Sequence, residues 1–200
     1  NPVAPLGSGN YKITMNIRAD LPGWAQAAPI SMNFQSATVD AQYVNPSDRS
    51  FAKGFSAPGL NRIRVDSTGL SLSRSNGTSV RFPKNAGNTY DTPDGSFTNV
   101  ATVTMNVVDP LGGAARVAAY KLTTASGMIS LYDATGLLLE RCEANGDVIR
   151  FAYQDKKGDG TADDLVRIQS VNTNQNIDYN YVAGKILSVT DWTSQNWTYA

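Results

Sequence analysis

The chain contains no histidine and a single cysteine, Cys142, in 200 residues. The absence of histidine excludes Ser-His-Asp triads, Cys-His dyads and every zinc site that needs an imidazole. One cysteine excludes an internal disulfide framework and a thiolate zinc site. Cys142 falls inside a strand pattern with no histidine to activate it, which fits a small packed thiol better than a nucleophile. Charged residues are scarce, at 17%, and the seventeen basic side chains balance the seventeen acidic ones. Nothing in that balance points to nucleic acid or to an anionic membrane surface. No apolar run approaches the length needed to span a bilayer. Neither a P-loop nor a dinucleotide-binding glycine pattern occurs between a strand and a helix.

Helical periodicity is missing too. The longest stretch without Gly or Pro, Thr161 to Ala183, is rich in Asn and alternates with period two. Short alternating runs separated by turn residues predict an all-β fold, an antiparallel meander of successive hairpins forming a curved, open repeat sheet. In the N-terminal part, Ile13, Met15 and Ile17 alternate with polar residues, as do Ile30, Met32 and Phe34, so the two runs can pair in a long-loop hairpin. Residues 43–61 read as irregular, with turn signals at Asn45-Pro46 and Pro58-Gly59. Arg62–Asp66, Leu70–Arg74 and Ser79–Phe82 read as a three-stranded meander with Asn76-Gly77 at its second turn. A polar loop from Pro83 to Asn99 leads to a strand over Val100–Val107, with Val103, Met105 and Val107 on one face. Arg116–Thr123 is the next strand, and Gly127–Leu131 the one after.

From Ile129 onward the chain repeats itself. Tyr132-Asp133-Ala134-Thr135-Gly136 opens a strand over Leu137–Cys142, Asn145-Gly146 turns it, and Val148–Tyr153 returns. A second cycle runs from Asp164 through Val171 and back through Ile177–Tyr181; a third starts at Gly184, passes Asp191 and returns through Asn196–Tyr199. Alternation places Ile149, Phe151 and Tyr153 on one face and Val148 and Arg150 on the other. A lone hairpin is marginal in water, so each unit needs its neighbour. The expected organisation is an N-terminal β segment over 1–128 followed by hairpin repeats over 129–200. The chain ends where a further Tyr-Asp-x-x-Gly would begin, which reads as a cut within the array leaving an exposed or partner-paired edge strand. At the other end, Asn1-Pro2-Val3-Ala4-Pro5 has no secretory-signal character and reads as a mature or trimmed start.

These units resemble the RHS/YD repeat. The match is carried by Tyr132-Asp133-Ala134-Thr135-Gly136, by Asn145 to Tyr153, and by Gly184-Lys185-Ile186-Leu187-Ser188-Val189-Thr190-Asp191. The middle unit departs, with Gln154-Asp155-Lys156-Lys157-Gly158 where Tyr-Asp-x-x-Gly belongs. Upstream, Gly77 to Phe82 is similar to the Asn-Gly-x-x-x-x-Phe ending of the family's pre-repeat segment, while Lys53-Gly54-Phe55 carries Phe where the family has Trp. The resemblance implies a bacterial, toxin-associated protein whose repeats coil into a hollow β shell around a C-terminal effector domain. This piece would then be non-catalytic shell wall, its partners the rest of its own chain and the enclosed effector. A secreted or cell-surface location fits the Asn/Ser/Thr/Gly-rich composition.

Three features point elsewhere. Asp155, Asp159 and Asp163 with Gly160 imitate a calcium loop, but Lys157 stands where the third-position ligand belongs and Val166 where a bidentate Glu is expected. The pairs Asp91/Asp94 and Asp163/Asp164 offer carboxylates for glycosidase chemistry, although such pairs are common on polar loops. Trp24, Trp192, Trp197, Tyr179, Tyr181 and Tyr199 could stack on sugars, making an extracellular carbohydrate-binding module the alternative, although in strands at repeat spacing such aromatics are more often cross-strand packing pairs. Asn76-Gly77-Thr78 and Asn196-Trp197-Thr198 match glycosylation sequons, but turn and strand chemistry already accounts for both. No catalytic residue, metal ligand or cofactor is assigned.

Overall fold

Strands form where apolar residues alternate with Ser, Thr, Asn and Arg, because period-two alternation gives a strand one face to bury and one to solvate. In the computed structural model this produces strands and turns with no helix among the described residues. The structure describes residues 61–73, 79–93, 95 and 97–198, together with the backbone of three short strands, β1 (Ile13–Met15), β2 (Met32–Phe34) and β3 (Phe55–Ser56). β1 pairs antiparallel with β2, as the alternation predicts. β3 pairs with β2 through Phe34 and Phe55, which places a strand inside the span read as irregular. Two strand residues are too few for periodicity to reveal.

The three-stranded meander follows as expected: β4 (Arg62–Asp66), β5 (Gly69–Ser73) and β6 (Ser79–Pro83) pair in chain order. Its Asn76-Gly77 turn lies outside the described residues. The larger sheet has nine strands: β7 (Asn99–Val107), β8 (Arg116–Thr123), β9 (Ile129–Asp133), β10 (Leu138–Cys142), β11 (Val148–Gln154), β12 (Asp164–Ser170), β13 (Gln175–Val182), β14 (Lys185–Thr190) and β15 (Asn196–Thr198). Every neighbour in the sheet is the neighbour in sequence and every pairing is antiparallel. The sheet is open and does not close into a barrel. It runs without interruption through the boundary drawn at 128/129, since β7 and β8 are its first two strands.

One face of this sheet is the core. Val100, Leu122, Tyr132, Leu138, Ile149, Phe151, Tyr153, Ile168, Ile177, Tyr179 and Val189 point into it, and Ile63, Leu70, Leu72 and Phe82 of the smaller sheet close it from the other side. Ile149, Phe151 and Tyr153 therefore share the buried face that alternation assigns them. The opposite face carries a cross-strand ladder of polar pairs. Arg150 Nε donates to Glu140 at 2.8 Å, Arg167 Nε to Asp178 at 2.6 Å, and Asn180 Nδ2 to Ser188 and Thr190, each at 3.2 Å. Such pairs each stabilise a sheet by roughly 0.2–1 kcal/mol. Near β7 to β10 the same face holds a small apolar cluster of Val107, Ala118, Leu131 and Leu139, with Val103 and Ile129 packed against it. Met105, read on the face of Val103 and Val107, is 46% exposed. A bulge between Thr102 and Met105 breaks the pairing with β8 at that point.

Candidate functional site

Because consecutive strands are antiparallel, alternate turns gather at the same end of the sheet. The Asp133 turn and the loop between β11 and β12 share one such end, and most of the buried charge sits there. Asp133 shapes its turn directly. Its backbone N–H donates to the Leu137 carbonyl at 3.0 Å, and the Gly136 N–H to the Asp133 carbonyl at 3.0 Å. Its Oδ1 accepts from the N–H of Thr135 and of Leu137 and from the Thr135 hydroxyl. Its other oxygen takes the Arg116 guanidinium at 2.6 Å, and that guanidinium lies 5.5 Å from the centre of the Tyr153 ring. Stacking of this kind suits arginine, whose planar cation is weakly hydrated.

Asp191 reproduces the turn: Thr193 N–H, Thr193 hydroxyl and Gln195 N–H all donate to its Oδ1, at 2.8, 2.6 and 3.0 Å. Ser194, at φ 65°, occupies the place of Gly136, at φ 91°. Sequence reading missed this recurrence because the third unit lacks the glycine. The shared signal is the Asp-x-Thr spacing, present as Asp133-Ala134-Thr135 and Asp191-Trp192-Thr193, and again as Asp66-Ser67-Thr68, where Thr68 donates to Asp66 in the same way.

The calcium-like loop holds a lysine where an ion would sit. Lys157 Nζ lies 2.7 Å from Asp163 Oδ1, 3.3 Å from Asp164 Oδ1 and 3.8 Å from Asp159 Oδ2. Its side chain is 12% exposed, those of Asp163 and Asp164 5% and 0%. Asp164 Oδ2 also accepts from the N–H of Lys156 and of Lys157. Burial works against the charged form of Lys157, but the hydrogen bond it donates to Asp163 and the negative charges of Asp163 and Asp164 outweigh it and raise the ammonium pKa. Asp155 turns inward on its own loop, accepting from the N–H of Gly158, Asp159 and Gly160. The Gly160 amide does most to hold its carboxyl below the ordinary carboxylate range, against a smaller opposing effect of burial. Among the described residues no group of three or more His, Cys, Asp or Glu side chains is arranged to hold a metal ion.

The other sequence candidates disperse. Asp163 and Asp164 are brought together, on the Lys157 ammonium. Asp91 accepts from Asn85 Nδ2, and Asp94 lies outside the described residues. Tyr179 is buried, Tyr181 donates its hydroxyl to the Leu165 carbonyl at 2.7 Å, and Trp192 and Trp197 are half-buried against the core. Trp24 and Tyr199 lie outside the described residues. Cys142 is half-buried, its thiol turned to the Glu143 carbonyl at 3.7 Å.

One interaction does recur at equivalent points of successive units. Tyr153, at the end of β11, donates its hydroxyl to the carbonyl of Leu138 at the start of β10, at 2.8 Å. Tyr181, near the end of β13, does the same to Leu165 at the start of β12. Tyr153 thus buries its ring in the core, Tyr181 packs a half-buried ring against it, and each satisfies its hydroxyl on the preceding strand's backbone. Fold and geometry define the class as an open all-β meander of pinned hairpins. No protein-family model matches the chain, and comparison with curated proteins finds no match.

Proposed function

We propose that this chain is a structural wall segment of an RHS/YD-type repeat protein, a non-catalytic stretch of β shell that encloses or displays an effector domain carried on the same protein. The observation that carries the reading is the recurrent Tyr153–Leu138 and Tyr181–Leu165 pin within a sheet whose nine strands follow chain order. An array of this type extends by adding units along one direction, which is what building a wall requires. The charged groups support the reading as well. Arg116 with Asp133, Lys157 with Asp163 and Asp164, and Arg62 within 4.0 Å of Asp163 tie the turn ends together and bring the smaller sheet to the larger. Side chains committed to such pairs hold a fold in register instead of presenting an acid and a base to a substrate.

The test is limited proteolysis of the natural protein that carries these residues, followed by mass spectrometry. Residues 99–198 are expected to survive within one larger protected body that also shields the effector domain. Their release as a separate module, with flanking domains cut freely, would contradict the wall function.

A further inference from the structure

β7 is the longest strand in the larger sheet and, among the described strands, pairs on one side only. Natural sheet edges are guarded by charge, proline, brevity or a bulge. β7 has the bulge at Thr102–Met105 but no charged residue and no proline in Asn99-Val100-Ala101-Thr102-Val103-Thr104-Met105-Asn106-Val107.

That sequence is also complementary to itself. Laid antiparallel on a second copy about Val103, it sets Val103 against Val103, Met105 against Ala101 and Val107 against Asn99 on one face. On the other face it sets Thr102 against Thr104 and Val100 against Asn106. Val103 and Val107 already belong to the apolar cluster on the polar-ladder side of the sheet, so this register extends that cluster across the junction. It also gives the exposed Met105 an apolar neighbour. Thr–Thr is a favourable cross-strand pair, and no like charges meet anywhere along the strand.

We propose that two copies of this chain join edge to edge through β7, antiparallel about a two-fold axis at Val103, to make one continuous sheet. The contact is isologous, so it closes at two copies and does not propagate. It stands apart from the wall function: the wall can hold with β7 unpaired, and the dimer can form in a protein that encloses nothing.

The experiment is sedimentation of the 200-residue chain over a concentration series, with two double variants at the exposed positions Thr102 and Thr104. The parent chain is expected to dimerise. T102K/T104K sets Lys against Lys twice in the proposed register and is expected to weaken the dimer about tenfold or more; T102K/T104E sets Lys against Glu and is expected to restore it. A parent chain monomeric to ~1 mM would overturn the proposal. So would T102K/T104K associating as tightly as T102K/T104E. A monomer whose Tm falls on T102K/T104K substitution would also overturn it, by placing a segment of the chain itself on that edge.

Discussion

Gly136 meets two demands at once. Its φ of 91° lies in the left-handed region, and a Cβ built there would sit 1.8 Å from the Ile63 carbonyl oxygen. The Ile63 N–H in turn donates to the Gly136 carbonyl at 3.2 Å, so the β9–β10 turn and β4 meet backbone to backbone. Gly146 shares the left-handed conformation, at φ 88°, with nothing near the missing Cβ. Gly136→Ala should therefore cost about 3 kcal/mol or more in urea unfolding, left-handed strain plus overpacking, against about 1–2 kcal/mol for Gly146→Ala. Equal losses would show that β4 does not press on the turn. Asp155 gives a prediction in pH. Its folded pKa is lowered from the ordinary 3.8, so its contribution is present above that value and lost as pH falls through the folded one. Asp155→Asn should flatten the acid side of a stability–pH curve below pH 3.8. A curve parallel to that of the parent would show that the loop amides do not hold the carboxylate.

Among the elements, the loop between β11 and β12 is where an internal cation matters most. Lys157→Met would leave Asp163 and Asp164 buried without their ammonium. Removing one partner of a buried pair typically costs 3–5 kcal/mol. A loss of about 3 kcal/mol is expected at neutral pH. Thermal denaturation of the variant at pH 7 checks this, and a Tm equal to that of the parent would contradict it. The parent Tm should not respond to added calcium, because the lysine already fills the place between the carboxylates. Much of this loop was legible in sequence: Lys157 and Val166 stand at positions where a calcium site needs oxygen ligands. What could not be read is that Asp163 and Asp164 would turn inward to the lysine, since that depends on the strand end from which β12 starts. Likewise, alternation located β4 to β15 closely, whereas β3 and the exposure of Met105 depend on pairing and a bulge, neither of which leaves a local pattern.

At the scale of the molecule, the nine strands of the larger sheet support one another in sequence. The repeat was legible because Tyr, Asp and Gly recur. The docking of the smaller sheet was not, because Ile63 against Gly136 joins residues far apart in sequence with no shared motif. In a nearest-neighbour array the interior strands gain from both sides and the terminal ones from one. Native-state hydrogen exchange across residues 99–198 tests this most directly, since it reads the opening free energy of each strand in place. Protection should be highest in β9 to β12, where the smaller sheet also docks, and should decline stepwise toward β15 and, at concentrations where the chain is monomeric, toward β7. Protection that rises and falls hairpin by hairpin, with β10–β11 opening independently of β9 and β12, would contradict a continuous wall.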